Sequence, residues 1–396
     1  MARRLTLDFL KTESGAGVVL ALAVAAAVGV ASSPWASWYF GLLGTPIPVR
    51  IADFAQTRSL ASWVADGLMA IFFLVVGMEI KFEVLRGELA SPRRLALPAF
   101  AAAGGLIVPG LCYLALNFHS PGELRGWSAA TATDIALALA VLAVVGPRIP
   151  SAVRVFLLTV ALADNLAAVG LTGLMFAGKV HAEALAGAGL SLAVLALLSR
   201  WRRAPFLFYA VGFAVVLAFT LDSGVGTSLA GVACAMVVPV GARRVGQESV
   251  LKYFMDSIHP YVAYAVLPLF AFTAAGLPIS PVASHLVTSP ISLGLLLALA
   301  VGKPLGVFGF SGLAAFARLA RRPTGATWLE LFGAALLCGV GVTASLFFGR
   351  MSFASRDVDQ ARLGIFAGSL VAMLAGAAVF IGANARRRDR DETEPR

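Results

Sequence analysis

Residues 128–146, SAATATDIALALAVLAVVG, and 152–176, AVRVFLLTVALADNLAAVGLTGLMF, decide the fold. Each is apolar over the ~20 residues that an α-helix needs to cross about 30 Å of hydrocarbon. Yet Asp134, Asp164 and Asn165 sit inside them. An ionised side chain at that depth costs on the order of 3 kcal/mol on insertion scales, so such residues line substrate or ion pathways. The remainder of the chain reads as support for these three positions.

Composition agrees. The 396 residues are 59% hydrophobic and 13% charged, with mean hydropathy +0.87, which is too apolar for an ordinary soluble domain. The pattern predicts an all-α polytopic membrane protein of about twelve spans. These fall near 15–33, 62–80, 95–117, 128–145, 152–176, 182–199, 205–221, 224–241, 258–278, 289–316, 328–349 and 361–384. Residues 1–396 then form a single transmembrane domain, with a short segment at 1–14 and a charged tail at 385–396.

A formal net charge of +10 would suggest nucleic acid as the partner of a soluble protein. Here most Lys and Arg fall in the N-terminus, every second loop and the C-terminal tail, the bias that cytoplasmic loops show. Both termini are therefore expected in the cytoplasm, with the bilayer rather than nucleic acid as the partner. Cys112, Cys234 and Cys338 lack metal-ligand or disulfide spacing and read as small packing residues. The N-terminal RRLTLDFLKTESG alternates basic and apolar residues like a helix lying at the membrane surface; Asp8, Lys11 and Glu13 interrupt any signal-peptide core. Residues 34–61, centred on PIPVRIADF, read as a short extracellular hairpin.

The second span ends in Glu79, Lys81, Glu83, Arg86 and Glu88. These charges can pair along one helix face at a solvated cytoplasmic end, or Glu79 and Glu83 can form a cytoplasmic funnel mouth. The third span, AAAGGLIVPG, is rich in small residues that permit close helix approach. In TATD, Thr131, Thr133 and Asp134 have the chemistry of an N-cap. Apolar residues precede them, so the cap requires a broken helix inside the membrane. ALLCGVGVTASLF at 335–347 is interrupted in the same way by Gly339, Gly341, Thr343 and Ser345. Two interrupted spans in corresponding places of two halves point to a transporter site. Lys303, flanked on both sides by apolar residues, needs a carboxylate partner, and Asp134 and Asp164 are the intramembrane choices. Residues 327–330, TWLE, read as a capping box, and His259 before Pro260 as structural.

FLKTESGAG, DGLMAIFFLVVGMEIK, TATDIALALAVLAVVG, SGVGTSLAGV, HPYVAYAVLPLFAF, GKPLG and LLCGVGVTASLF occur in the order found in the NhaA sodium/proton antiporters, which the chain resembles over nearly its whole length. The resemblance implies inverted-topology repeats, 95–176 mirrored by 289–384, and two discontinuous crossing helices. It implies exchange of Na+ or Li+ for H+ by alternating access, serving pH and sodium homeostasis in a bacterial cytoplasmic (inner) membrane. No cofactor and no enzymatic activity are implied. The ion- and proton-binding residues it implies are Asp134, Asp164, Asn165 and Thr133, with Asp164, Asn165 and Asp134 meeting the transported Na+. Lys303 is implied as the compensating charge, Gly339, Gly341 and Thr343 as the helix break, and the 34–61 region as the contact of a homodimer.

The chain departs from the family at Asn165, where the resemblance calls for a second aspartate; Asn coordinates but does not titrate. Gly226 and Met255 stand where a histidine and an acid are associated with pH response. The departure at Asn165 raises an alternative, a homologue that is non-transporting or has an altered stoichiometry. An intramembrane aspartyl protease is disfavoured, because neither aspartate lies in a Gly-x-Gly-Asp context and a buried lysine holds a carboxylate ionised when that chemistry needs a shared proton.

Overall fold

The computed structural model describes residues 2–51, 54–87, 90, 92–119, 124–175, 180–200, 206–241, 249–278, 288–355 and 357–393. In chain order the elements are α1 (Ala2–Ala31), α2 (Ala36–Gly44), β1 (Pro46–Ile51), β2 (Phe54–Ser59), α3 (Leu60–Arg86), α4 (Pro92–Asn117), α5 (Ile135–Val145) and α6 (Ser151–Met175). There follow α7 (Ala182–Ser199), α8 (Phe206–Ser223), α9 (Thr227–Val237), α10 (Val250–Tyr261) and α11 (Leu267–Ala274). The chain closes with α12 (Pro290–Leu297), α13 (Lys303–Phe316), α14 (Trp328–Cys338), α15 (Val342–Ser352) and α16 (Val358–Thr393).

Among the described residues, seven helices are long and apolar enough to cross a membrane, or up to nine if each sharply bent pair is one span. The expectation of about twelve rested on apolar windows, and two of those windows hold short helices. α5 and α9 have 11 residues each, about 16 Å of helix and half a bilayer. The span expected at 258–278 instead begins at Val250, where the Ser249 side chain accepts from Lys252 N at 3.1 Å. The helix then runs through a π-turn at Val262–Val266 into α11. Pro268 lacks an N–H, and the turn meets that deficit: Leu267 N donates to Val262 O, the i→i+5 bond of a π-bulge.

Contacts divide the chain into two compact units. The first comprises Met1–Ala25, Ser91–Ala168 and Ile279–Arg396. Its two long segments share an order: a long helix, an interrupted helix, then another long helix. In the first segment these are α4, the stretch from a 3-10 turn at Leu124–Ser128 through non-helical 129–134 to α5, and α6. In the second they are α12–α13, joined by a π-turn, then α14 and α15, bent by 42°, and α16. The glycines of the third span work as the sequence suggested. A β-carbon on Gly104 would collide with the carbonyl of Gly306, and one on Gly306 with the carbonyl of Gly104, so α4 and α13 pack backbone to backbone. The capping box is present: Glu330 N donates to Thr327 Oγ1 at 3.2 Å and Thr327 N to Glu330 Oε2 at 2.7 Å. Arg387 of α16 closes on the same carboxylate, 2.5 Å from Nε to Oε1 and 3.0 Å from Nη2 to Oε2.

The second unit comprises Ala26–Ala90 and Val169–Pro278. The hairpin expected over 34–61 is confined to β1 and β2, paired antiparallel from Pro46↔Ser59 to Ile51↔Phe54, while Ala36–Gly44 is helical. Arg58 fixes β2 by donating to Asp66 Oδ2 at 2.7 Å, and Gln56 donates to Asp222 Oδ1 at 2.6 Å. The charge ladder at the end of α3 is not a simple i,i+4 series. Lys81 Nζ donates to Met236 O at 2.5 Å and Val238 O at 2.6 Å, capping the free carbonyls that end α9. Glu79 Oε1 lies 3.7 Å from His259 Nε2, while Glu88 lies outside the described residues.

Candidate functional site

The two interruptions of the first unit are tied to each other. Asp134 N donates to Val340 O at 2.7 Å, and Thr133 Oγ1 to Cys338 O at 3.0 Å, so the first break satisfies carbonyls left free by the second. In return, Asp134 Oδ2 accepts from Thr343 N at 3.0 Å and from Thr343 Oγ1 at 2.7 Å, while its Oδ1 accepts from Leu137 N at 3.4 Å. One carboxylate thus caps the N-termini of both α5 and α15, where aligned peptide dipoles favour negative charge. Gly341 N donates to Ser369 Oγ at 3.1 Å, holding the second break against α16. Gly341 belongs there for a steric reason: a β-carbon would stand 2.7 Å from Ala132 O. Gly339 likewise meets the backbone of Leu299.

Beside this junction lie Asp164, Asn165 and Lys303, all fully buried. Lys303 Nζ is 3.2 Å from Asp164 Oδ2 and also donates to Thr131 O. Of the two carboxylates open to it on sequence grounds, the structure pairs it with Asp164. Its position depends on local backbone: Ala298–Gly302 is a π-turn in which Lys303 N donates to Ala298 O, immediately before Pro304. Sequence reasoning missed this turn, and GKP was the signal, since proline withdraws a donor just where the helix must adjust.

Asn165 is held through both ends of its amide. Thr133 N donates to Oδ1 at 3.3 Å, and Nδ2 donates to Thr133 O at 3.0 Å. An amide supplies both an acceptor and a donor, which an ionised carboxylate does not. Thr133 Oγ1 lies 3.3 Å from Asp164 Oδ2 as well as 3.0 Å from Cys338 O, and its single proton serves one of them at a time. Asp164 Oδ1 accepts no hydrogen bond from any described residue. The constellation therefore has an ion pair, an uncommitted carboxylate oxygen, a hydroxyl and several backbone carbonyls within one buried pocket of polarity. Glu79 and Glu83 belong to α3 in the second unit.

The family model described as Na+/H+ antiporter 1 matches residues 7–380. A protein of Bordetella parapertussis named Na(+)/H(+) antiporter NhaA is 42% identical over 377 residues, covering 94% of this chain and 95% of the relative. Na(+)/H(+) antiporter NhaA 1 of Pseudomonas syringae pv. syringae is 42% identical over 370 residues, 93% of each chain. Na(+)/H(+) antiporter NhaA of Campylobacter concisus is 40% identical over 376 residues, 94% of this chain and 91% of the relative. With its apolar helices, the protein is a multi-pass membrane protein. A match that runs from residue 7 to residue 380 leaves little of the chain outside it, and the chain belongs to the Na+/H+ antiporter 1 family.

Proposed function

We propose that the protein exchanges Na+ or Li+ for H+ by alternating access, with Asp164 as the shared carboxylate. The observation that carries this reading is the buried Asp164–Lys303 pair, in which Oδ2 holds the lysine and Oδ1 has no partner among the described residues. A small hard cation prefers carboxylate, hydroxyl and carbonyl oxygens. Asp164, the Thr133 hydroxyl and neighbouring carbonyls supply that set. The pair holds one exchangeable proton. When Na+ takes the carboxylate, Lys303 loses the partner that made its buried charge tolerable and gives up its proton. Occupancy by one cation then excludes the other.

In this reading Asp134 is the fixed counter-charge of two discontinuous, crossing helices, and Asn165 clamps the first break. The shared helix order of the two segments supports inverted repeats. Bundle movement would open the pair to one side of the membrane at a time. The Lys/Arg bias supports cytoplasmic termini, and kinship with the Na+/H+ antiporter 1 family supports the bacterial inner membrane and a role in pH and sodium homeostasis, with Glu79 and Glu83 as a cytoplasmic entrance. The 34–61 region, which holds the β1–β2 hairpin, is the proposed contact of a homodimer.

The test is exchange in proteoliposomes with an imposed pH gradient. Na+ and Li+ are expected to collapse the gradient in a protein-dependent way. A gradient indifferent to both would reject transport and favour a non-transporting homologue, the reading that Asn165 makes available.

A further inference from the structure

We propose that Gly105 is a specificity-determining residue for the cation at Asp164, its missing side chain keeping open the approach to both carboxylate oxygens; this rests on the exchange reading above. A β-carbon on Gly105 would stand 3.2 Å from Asp164 Oδ2 and 3.3 Å from Oδ1. A position nearly equidistant from two carboxylate oxygens is where a bidentate cation approaches. Alanine there would place a methyl group in the ion's path without removing a ligand, a charge or the Lys303 pair.

Close packing accounts for this glycine only in part, unlike its neighbour. At Gly104 the obstacle is the backbone of Gly306, which cannot yield. At Gly105 the nearest atom outside Asp164 is Val307 Cγ2, at 2.9 Å from the β-carbon, the end of a side chain. Alanine therefore needs the stiff valine methyl to shift, a packing cost that the Val307→Ala variants below separate from the effect on the carboxylate. What alanine would cover is the carboxylate, including the oxygen that accepts from no described residue. Of the two ions, Li+ is the smaller and needs fewer ligands, so a narrowed approach disfavours Na+ more.

The experiment measures Na+ and Li+ binding to purified full-length protein by calorimetry, alongside exchange in proteoliposomes. It compares the natural protein with Gly105→Ala, Val307→Ala and Gly105→Ala/Val307→Ala. The double variant removes the Val307 overlap, so the added methyl is left facing only the carboxylate. Both variants carrying Gly105→Ala are expected to bind Na+ about tenfold more weakly, the order of effect of one methyl group in a fitted pocket. Li+ should lose less, and Val307→Ala alone should change neither. Natural affinity in Gly105→Ala, recovery of affinity in the double variant, or equal loss for both ions would each overturn the assignment. If the natural protein binds neither ion, the exchange reading itself fails and takes this inference with it.

Discussion

Asp164→Ala is expected to lower stability by about 3–5 kcal/mol, because it leaves the Lys303 ammonium buried without its counter-charge. Lys303 Nζ and Asp164 Oδ2 are 3.2 Å apart and neither residue has exposed area, so water cannot replace the lost partner. The carbonyl of Thr131 still accepts from Lys303. That favours the lower end of the range, since a dipole compensates part of the charge. Removing both charges in Asp164→Ala/Lys303→Met is expected to recover most of the loss, because a buried pair exchanged for apolar groups is often neutral. Melting of the single and double variants in detergent checks this. A single variant as stable as the natural protein would remove the pair from the account.

Asn165→Asp is expected to make exchange sensitive to membrane potential. In the proposed cycle the Asp164–Lys303 pair would trade one proton for one Na+, and no net charge would cross. Aspartate at 165 can keep the bond to Thr133 O only when protonated, so the clamp that Asn165 makes through Nδ2 would become a proton-binding site. Two protons then move against one Na+, and each 100 mV contributes about 2.3 kcal/mol to the cycle. That is about a 50-fold change in the Na+ ratio supported at equilibrium. Initial rates in proteoliposomes, with potential clamped by valinomycin and K+, are expected to be flat with potential for the natural chain and steep for Asn165→Asp. Potential-driven exchange by the natural chain would contradict the one-for-one cycle.

Much of this site was legible because buried charge is costly. Asp134, Asp164 and Lys303 stood out against apolar runs, and desolvation required that they be paired or capped. The interruptions of the helices were legible from cap chemistry within apolar runs, and Thr343 Oγ1 and Asp134 Oδ2 lie 2.7 Å apart. The shortness of α9 and the length of the non-helical stretch before α5 were not legible, because a hydropathy window cannot see where the hydrogen bonds stop. Lys81 misled in another way: periodicity offered partners along α3, but the lysine reaches carbonyls more than 150 positions away in the sequence. The role of Gly105 was hidden for the same reason, since AAAGG announces close approach without saying which atom is approached.

The most direct measurement of the central claim is the number of protons released when Na+ binds. It is obtained by titrating purified protein calorimetrically in buffers of different ionisation enthalpy. Competition at the Asp164–Lys303 pair predicts one proton released per Na+ bound by the natural protein, and none in Asp164→Asn, which should not bind Na+ measurably. Binding of Na+ without proton release, or release that survives Asp164→Asn, would contradict it.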